Sequence, residues 1–333
     1  MAIPKSKREK IAQIIIQTIY SQYDYWADAL FENNTNPHNF PFEKAFCAFS
    51  HEEYEPKSIS NYLCKQLLLH GLNTSLGQSF FESVAHILCD GEKREFKSQQ
   101  IYANQMNVIG EIMTDLKNGV QIPSLIRENS ILVNNAHGAK QTAPNFTADC
   151  FYETDTDVVA IEIKSVRPNS GEMRGEKQKV LIGRAVLNAL YPNKNVSYLF
   201  GFPFDPTADT DTGYDKQRFL RSLVEGGKFV AEDDFMIADE FWSFLASSEG
   251  AMQEILEIIN RIATPRFMEL FEKIQSKSGS RGELRILLND WYLYSEVEIL
   301  ENVRQTTSNS RIYNLLVFKP DGSYNVRRME LLR

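Results

Sequence analysis

The spacing of apolar residues predicts that the first third of the chain is helical. Residues 6–9 (Ser-Lys-Arg-Glu) match a capping box and precede a run of apolar residues at helical spacing, so a long first helix is expected. The apolar positions of this helix are Ile11, Ile14, Ile15, Ile19, Tyr23, Trp26 and Leu30. The loop 36–41 follows. Further helices are predicted at 58–72, 76–88 and 98–116, the last closed by Asn118-Gly119.

After residue 130 the pattern changes to short apolar runs that are typical of strands. Strands are predicted at 131–133, 148–153, 158–164 and 196–202. A loop at 167–171 and a helix from residue 175 or 176 to about 190 separate the last two strands. The order strand, strand, helix, strand predicts an α/β fold with a mixed sheet, and the continuous apolarity of 196–202 predicts a central strand.

The remainder of the chain is predicted to be mostly helical. Helices are expected at 214–223, 233–245 and 251–274, and Lys319-Pro320-Asp321-Gly322 predicts a hairpin between 312–317 and 324–329. No repeat or convincing linker interrupts the chain. One elaborated domain is therefore predicted over 1–333, with a helical region (1–75), an α/β core (76–205) and a mostly helical region (206–333) that ends in the hairpin.

Composition narrows the class of protein without identifying it. The 333 residues are 43% hydrophobic and 24% charged, as in ordinary soluble globular proteins. No apolar run approaches the ~20 residues of a membrane span, and no apolar signal core follows the basic N-terminus. We therefore expect a cytoplasmic protein without a membrane partner. The four cysteines are scattered and suggest neither a disulfide framework nor a zinc site.

Charge at first argues against nucleic acid, because the net charge is −8 and DNA binding rests on phosphate neutralisation. The distribution of the charges weakens this objection. Between residues 164 and 184 six basic residues face only two acidic ones. Such a basic segment suits a protein that touches DNA locally, although a charge run by itself is more often a solvated helix face.

Two charged residues on an apolar strand carry the candidate chemistry. Strand side chains alternate between faces, so Glu162 and Lys164 point the same way, opposite to the neighbouring apolar residues. An isolated charge on a buried strand is costly. A metal ion shared with a second carboxylate would offset that cost, and Asp149 on the preceding strand is placed to supply it. This trio suits metal-dependent hydrolysis of a phosphodiester bond.

Magnesium is the expected cofactor because it prefers hard oxygen ligands and retains several waters. We expect Asp149 and Glu162 to bind it, with the backbone carbonyl of Ile163 as a third ligand. Lys164 would orient the attacking water and stabilise the developing hydroxide. Glu82, on the polar side of the predicted 76–88 helix, is a further catalytic candidate, and an ordinary exposed glutamate is an equally good interpretation.

Other interpretations of these residues remain open. A Glu-x-Lys pair alone is nearly uninformative, since surface glutamates and lysines are common on the edges of antiparallel sheets. The acidic loop 205–213 lacks calcium-loop spacing. The five histidines form no metal-ligand pair in the sequence. No Gly-rich phosphate loop or nucleophile motif is present.

Asp149, Glu162 and Lys164, with the basic run 162–177 that follows, resemble the PD-(D/E)xK nuclease superfamily and within it TdeIII-like type II restriction endonucleases. The resemblance is sharpest over 149–190 and weak in the first 70 and last 60 residues. Ala148 stands where the superfamily has proline, a position that binds no metal. The resemblance implies a Mg²⁺-dependent homodimer that cuts double-stranded DNA at a short palindrome, such as the GC-rich interrupted site GGNCC. A cognate DNA methyltransferase would be its genetic partner.

The segment after the catalytic trio contains residue types that recognise base edges. Arginine and lysine suit guanine, asparagine and glutamine suit adenine, and carboxylates suit cytosine. The predicted DNA contacts are Arg167, Asn169, Glu172, Arg174, Glu176, Lys177, Gln178 and Lys179. For a GC-rich site, Arg174 and Lys177 are assigned to guanine, and Glu172 or Glu176 to cytosine. Phosphate positioning by the basic residues and helix capping by Glu176 are the competing roles.

Two rival functions remain beside the restriction endonuclease. The same residues suit a less specific nuclease of repair or defence. A DNA-binding or assembly module that kept the fold but lost cutting is the non-enzymatic alternative.

Overall fold

The two strands predicted to carry the chemistry lie inside a five-stranded mixed sheet in the order β1-β4-β5-β6-β7. Its members are β1 (Glu92–Phe96), β4 (Phe146–Glu153), β5 (Asp157–Ile163), β6 (Asn195–Phe202) and β7 (Phe235–Ile237). The first two pairings are antiparallel and the last two are parallel. A separate two-stranded antiparallel sheet pairs β2 (Gln100–Tyr102) with β3 (Lys140–Thr142).

The computed structural model describes residues 3–24, 42, 79–164, 170–223, 226–302 and 307–333. The chain divides into two compact units, one of residues 1–84 with 253–333 and one of residues 85–252. The prediction of one elaborated domain stays a prediction. Among the helices that the structure describes, none combines the length and apolarity needed to cross a bilayer.

Helices cover both faces of the sheet in the 85–252 unit. Gly183 of the long crossover helix lies directly against the ring of Tyr198, while Phe241 lies against Gly201 on the opposite face. The α-helices described between residues 81 and 250 are α2 (Phe81–Cys89), α3 (Ala103–Asn118), α4 (Leu125–Asn134), α5 (Ser170–Leu190), α6 (Lys216–Ser222), α7 (Gly226–Phe229) and α8 (Asp239–Ala246), and a short 3-10 helix over Glu232–Asp234 precedes β7. The predicted mixed sheet flanked by helices is confirmed.

The other unit is built from helices. They are α1 (Lys5–Asp24), α9 (Ala251–Ile262), α10 (Phe267–Ser276), α11 (Arg281–Asp290), α12 (Tyr294–Asn302) and α13 (Thr307–Tyr313), with a 3-10 helix over Val326–Leu332. Stacked aromatic rings pack its interior, with Phe271 lying 4.6 Å from Tyr20 and 4.7 Å from Phe318 between ring centroids. Helical extensions at both ends of the chain are thus present, as predicted.

Several predicted elements are wrong in type. Residues 131–133, predicted as a strand, belong to α4, which begins because the Ser124 hydroxyl accepts a hydrogen bond from the amide of Arg127. Within that run Leu132 is buried and Val133 is 61% exposed, and the run lacks the β-pairing that a strand needs. Strand β1 was missed because its Glu-Lys-Arg-Glu-Phe sequence is polar, as an edge strand permits.

Other predicted boundaries shift for local reasons. The helix predicted over 98–116 begins only at Ala103, after β2, but ends as expected with Gly119 in the left-handed region at φ 69°. The helix predicted over 233–245 contains the short strand β7 before α8. The helix predicted over 251–274 is interrupted near Pro265, which separates α9 from α10.

The C-terminal hairpin is wrong except at its turn. Phe318 and Tyr324 form an isolated antiparallel bridge, but neither predicted arm is a strand: a helix ends at Tyr313 inside the first arm, and a 3-10 helix begins at Val326 inside the second. The predicted strand 196–202 and the pair 148–153 and 158–164 are confirmed as β6, β4 and β5, and the helix predicted from 175 begins earlier, at Ser170. The helix 58–72, the loop 36–41, the first helix beyond residue 24 and residues 167–169 lie outside the described residues.

We expect Gly183→Ala to lower the free energy of unfolding by about 1–3 kcal/mol, because the added methyl group would overlap the Tyr198 ring. Gly175→Ala on the same helix is the matched control, since no atom lies within 4 Å of its methyl position. That control should gain about 0.5–1 kcal/mol from helix propensity alone. Urea denaturation of both variants measures the difference, and equal effects would contradict the close packing of α5 on β6.

Candidate active site

The register of β4 and β5 places Asp149 and Glu162 side by side. Cys150 pairs with Ile161, so the next residue pair along the antiparallel ladder is Asp149 and Glu162, and their side chains share a face. The amide of Ile163 donates to Asp149 Oδ2 at 3.1 Å. Lys93 Nζ lies 3.5 Å from Asp149 Oδ1. The predicted convergence of the two carboxylates is therefore present.

Glu162 is the most buried member of the site, with 2% of its side chain exposed. Its Oε1 lies 2.8 Å from Lys164 Nζ and 2.6 Å from Lys179 Nζ. Both ammonium groups also contact Glu176, each at 2.8 Å, through different carboxylate oxygens. Glu162, Lys164, Glu176 and Lys179 thus form a closed loop of ion pairs, hereafter the ionic ring.

Burial and charge shift the protonation of the ring carboxylates in opposite directions. Burial, followed by repulsion from Asp149, raises the pKa of Glu162 to about 7 against the pull of the two lysines. Burial also acts to raise the pKa of Glu176, but its hydrogen bonds with Lys164 and Lys179 outweigh this and the pKa is lowered. Glu162 is therefore the carboxyl group that most needs a further cation.

Lys164 stays protonated in the ring. Burial alone acts to lower its pKa, but the charge and hydrogen bond of Glu162, joined by Glu176, outweigh burial and raise the pKa above its usual value. A lysine held as an ammonium can donate to a water or a phosphate oxygen, but it does not act as a general base. Its predicted place beside Glu162 is confirmed by the geometry, while its role stays a prediction.

Tyr198 joins the site from the neighbouring strand, although it is not among the site residues predicted from the sequence. The parallel register Ala160↔Tyr198 puts it on the face of Glu162, and its hydroxyl donates to Glu162 Oε2 at 3.4 Å. Burial and the charge of Glu162 raise the pKa of Tyr198 well above its usual value, so the hydroxyl keeps its proton. The available signal in the sequence was a tyrosine within the predicted buried strand 196–202.

Lys177 corrects the predicted DNA contacts. Its side chain is 0% exposed, and its ammonium lies 2.6 Å from both Glu128 Oε2 and Asp234 Oδ2. Arg184 Nη2 lies 2.8 Å from Asp234 Oδ1 and also donates to the carbonyl of Tyr198. Assigning Lys177 to guanine is therefore wrong for this structure, because reaching a base edge would require leaving this buried quartet of Glu128, Lys177, Arg184 and Asp234.

No local sequence pattern predicts the buried quartet. Its acidic members lie on α4 and on the short 3-10 helix before β7, more than 40 residues from the basic members on α5. Charged residues at such separations are not distinguished from solvated ones by spacing. Only the packing of α5 against these elements brings the four together.

The other predicted DNA contacts divide into two groups. Glu172, Arg174 and Gln178 are exposed on α5, whereas Glu176 and Lys179 belong to the ionic ring. Arg167 and Asn169 lie outside the described residues. Glu82 lies in the first turn of α2, in the unit of residues 1–84 with 253–333, and its catalytic role stays a prediction.

The oxygen donors at Asp149 and Glu162 fit a hard divalent cation that retains water. Asp149 is partly exposed, and among the residues that the structure describes Glu162 Oε2 accepts a hydrogen bond only from the hydroxyl of Tyr198. Ile163, the predicted carbonyl ligand, lies next to Glu162 on β5. Within the described ranges, no group of three or more His, Cys, Asp or Glu side chains is arranged to hold a metal ion. Binding by two carboxylates, a carbonyl and waters suits magnesium better than a full protein cage.

Wild-type protein without metal is expected to lose unfolding free energy relative to Glu162→Gln as the pH rises from about 4 to about 8. Below the pKa of the unfolded chain, both states hold the proton and Glu162 adds no difference. Above the folded-state pKa of about 7, the folded protein carries a buried charge that the unfolded chain solvates. Urea denaturation in EDTA at the two pH values measures this, and a pH-independent difference would contradict it.

Replacing Lys177 with methionine should destabilise the protein by about 3–5 kcal/mol, because Glu128 and Asp234 would lose a buried cation. Arg174→Met, at an exposed position of the same helix, should change stability by no more than about 0.5 kcal/mol. Chemical denaturation compares the two. Similar small effects would show that the quartet does not hold α5 in place.

Comparison with known proteins assigns the whole chain to a family. The family model described as type II restriction endonuclease HinfI matches residues 4–263. The type II restriction enzyme MjaII of Methanocaldococcus jannaschii is 36% identical over 362 aligned positions that cover 100% of this chain and 98% of the relative. No solved structure matches. The chain belongs to the HinfI family of type II restriction endonucleases, which are site-specific deoxyribonucleases.

Proposed function

We propose that this enzyme hydrolyses the phosphodiester bonds of double-stranded DNA with Mg²⁺ bound at Asp149 and Glu162, in the manner of PD-(D/E)xK nucleases. The observation that carries the proposal is the pairing of these carboxylates on adjacent strands, with Lys164 Nζ 2.8 Å from Glu162. Membership of the TdeIII-like group is proposed from the sequence resemblance. Glu82 is retained as an additional catalytic candidate.

Each residue of the site has a defined task in this proposal. Asp149, Glu162 and the carbonyl of Ile163 hold the ion, which supplies positive charge and a more acidic water. Lys164 donates to the attacking water or to the scissile phosphate, and its raised pKa keeps it charged for this task. Tyr198 holds the orientation of Glu162 through its hydroxyl.

DNA recognition is assigned to the exposed side chains that follow the site. Arg174 suits guanine, Glu172 suits cytosine N4, and Gln178 suits adenine or a phosphate. Arg167 and Asn169 keep their proposed contacts. Glu176 and Lys179 can meet DNA only beside the cutting residues, since both are held in the ionic ring.

A palindromic site is recognised most simply by a symmetric dimer in which each protomer cuts one strand. We therefore propose a homodimer that acts at a short interrupted GC-rich palindrome such as GGNCC. A cognate methyltransferase would protect the same site in host DNA. Because that substrate and that partner act inside the cell, we place the enzyme in the cytoplasm.

A less specific nuclease of repair or defence is the remaining alternative. The same cluster of Asp149, Glu162 and Lys164 would serve it. The comparisons favour site-specific cutting, because both the family model and the relative are type II restriction enzymes. They also disfavour a non-cutting module. Discrete bands rather than a smear of digested DNA distinguish the first two functions.

Purified protein incubated with plasmid and Mg²⁺ should give discrete fragments, and EDTA should abolish them. Lys164→Ala should slow cleavage about 10²–10³-fold, because one donor to the developing charge is lost. Lys194→Ala is the matched control, since this lysine pairs with Glu153 at 2.8 Å at the far end of β4. Sequencing of the fragment ends identifies the recognition site.

Three results would contradict the proposal: intact plasmid, cleavage that survives EDTA, or equal loss of rate in the two lysine variants. Fragment ends without a shared GC-rich palindrome would contradict only the proposed site.

A further inference from the structure

The ionic ring contains more charge than the proposed reaction uses. A Mg²⁺ ion at Asp149 and Glu162 with Lys164 as donor accounts for one lysine and two carboxylates. Glu176 and Lys179, both on α5, then have no task, although they contact Glu162 and Lys164 directly. With both glutamates ionised, the ring holds two negative and two positive charges.

Glu176 is the third carboxylate of the site and the natural candidate for an additional metal ligand. Both of its oxygens are already engaged, Oε1 by Lys164 and Oε2 by Lys179, each at 2.8 Å. These contacts lower the pKa of Glu176 after burial has acted to raise it. A carboxylate held between two ammonium groups has no strong attraction left for a metal ion.

Lys179 occupies the position that a second cation would need. Its ammonium is 2.6 Å from Glu162 Oε1 and bridges to Glu176, which are the two carboxylates that a second ion would have to share. A divalent ion placed there would be repelled at short range by two ammonium groups in a partly buried site. The arrangement within the described residues agrees, since no three acidic, histidine or cysteine side chains are grouped to hold a metal.

We propose that Lys179, held by Glu176, is a positioning residue that takes the place of a second metal ion, so that each chain binds one divalent cation at its active site. This inference rests on the proposed metal site at Asp149 and Glu162. The ring neutralises Glu162 Oε1 and leaves Oε2 and Asp149 for the single ion. Lys179 thereby supplies positive charge beside the cutting site without a second cofactor.

Counting bound Mn²⁺ on the full-length protein tests the inference without a turnover measurement. Electron paramagnetic resonance of free Mn²⁺ during titration should give one ion per wild-type chain. Lys179→Gln should bind two, because both carboxylates become available, whereas Lys179→Arg should still bind one. The double variant Lys179→Gln with Glu176→Gln should return to one, since the second ion needs Glu176.

Glu176→Gln in an otherwise wild-type chain gives an independent measurement. If Glu176 supports Lys179 and is not a ligand, this variant should still bind one Mn²⁺, with an affinity loss of no more than about 10–100-fold. Complete loss of Mn²⁺ binding in a folded Glu176→Gln would show that Glu176 is a ligand and would overturn the inference. Lys194→Gln, a lysine with 22% exposure against 25% for Lys179 and an ion pair of similar length, controls for the loss of a charge. It should leave the count at one.

The possible outcomes distinguish failure of the inference about Lys179 from failure of the proposed metal site at Asp149 and Glu162. Two Mn²⁺ ions per wild-type chain, both lost in Asp149→Asn, would overturn the role of Lys179 and leave the metal site standing. One ion in a folded Lys179→Gln, as judged by circular dichroism, would do the same. No Mn²⁺ binding, or binding indifferent to Asp149→Asn, would instead overturn the proposed metal site itself.

Discussion

The carboxylate of Glu162 lies on a central strand with 2% of its side chain exposed, and the surrounding elements offset the cost of burying its charge. Burial and the nearby Asp149 both raise its pKa, so a folded structure needs cations at this point. Lys164 directly follows the same strand and Lys179 comes from α5. A divalent ion would complete the compensation. In the proposed enzyme, the same interaction would link stability without metal to binding of the divalent ion.

Helix α5 carries two sets of charges with different environments. Glu176 and Lys179 face the site, while Lys177 and Arg184 are enclosed with Glu128 and Asp234. The quartet contains two positive and two negative groups and excludes water, so its partners are strongly interdependent. It fixes the rotation of α5 about its axis. The fixed rotation in turn presents Glu176 and Lys179 to Glu162, and Gly183 lets the helix approach Tyr198 closely.

Elements and residues are predicted correctly from the sequence where a local pattern of apolar and polar residues reflects burial directly. Alternation along β5 identified Glu162 and Lys164, and the apolar run of 196–202 identified a central strand. The prediction failed where the pattern is ambiguous. The apolar run 131–133 fits a strand as well as a helix. The N-terminal cap at Ser124 begins a helix that includes these residues. The polar edge strand β1 has no hydrophobic alternation that would predict it from the sequence. It is a strand because it pairs with β4.

The sequence by itself determined the chemical type of the site: an acidic residue on one strand, and a carboxylate and an ammonium two residues apart on the next. Those facts follow from strand periodicity, which is a local property of the backbone. Only the tertiary structure decided which charged residues form ion pairs with one another. Lys177 and Lys179 are two positions apart on one helix, yet one is enclosed by Glu128 and Asp234 and the other contacts Glu162. Their partners come from distant segments, so packing, and not sequence spacing, assigns each lysine its role.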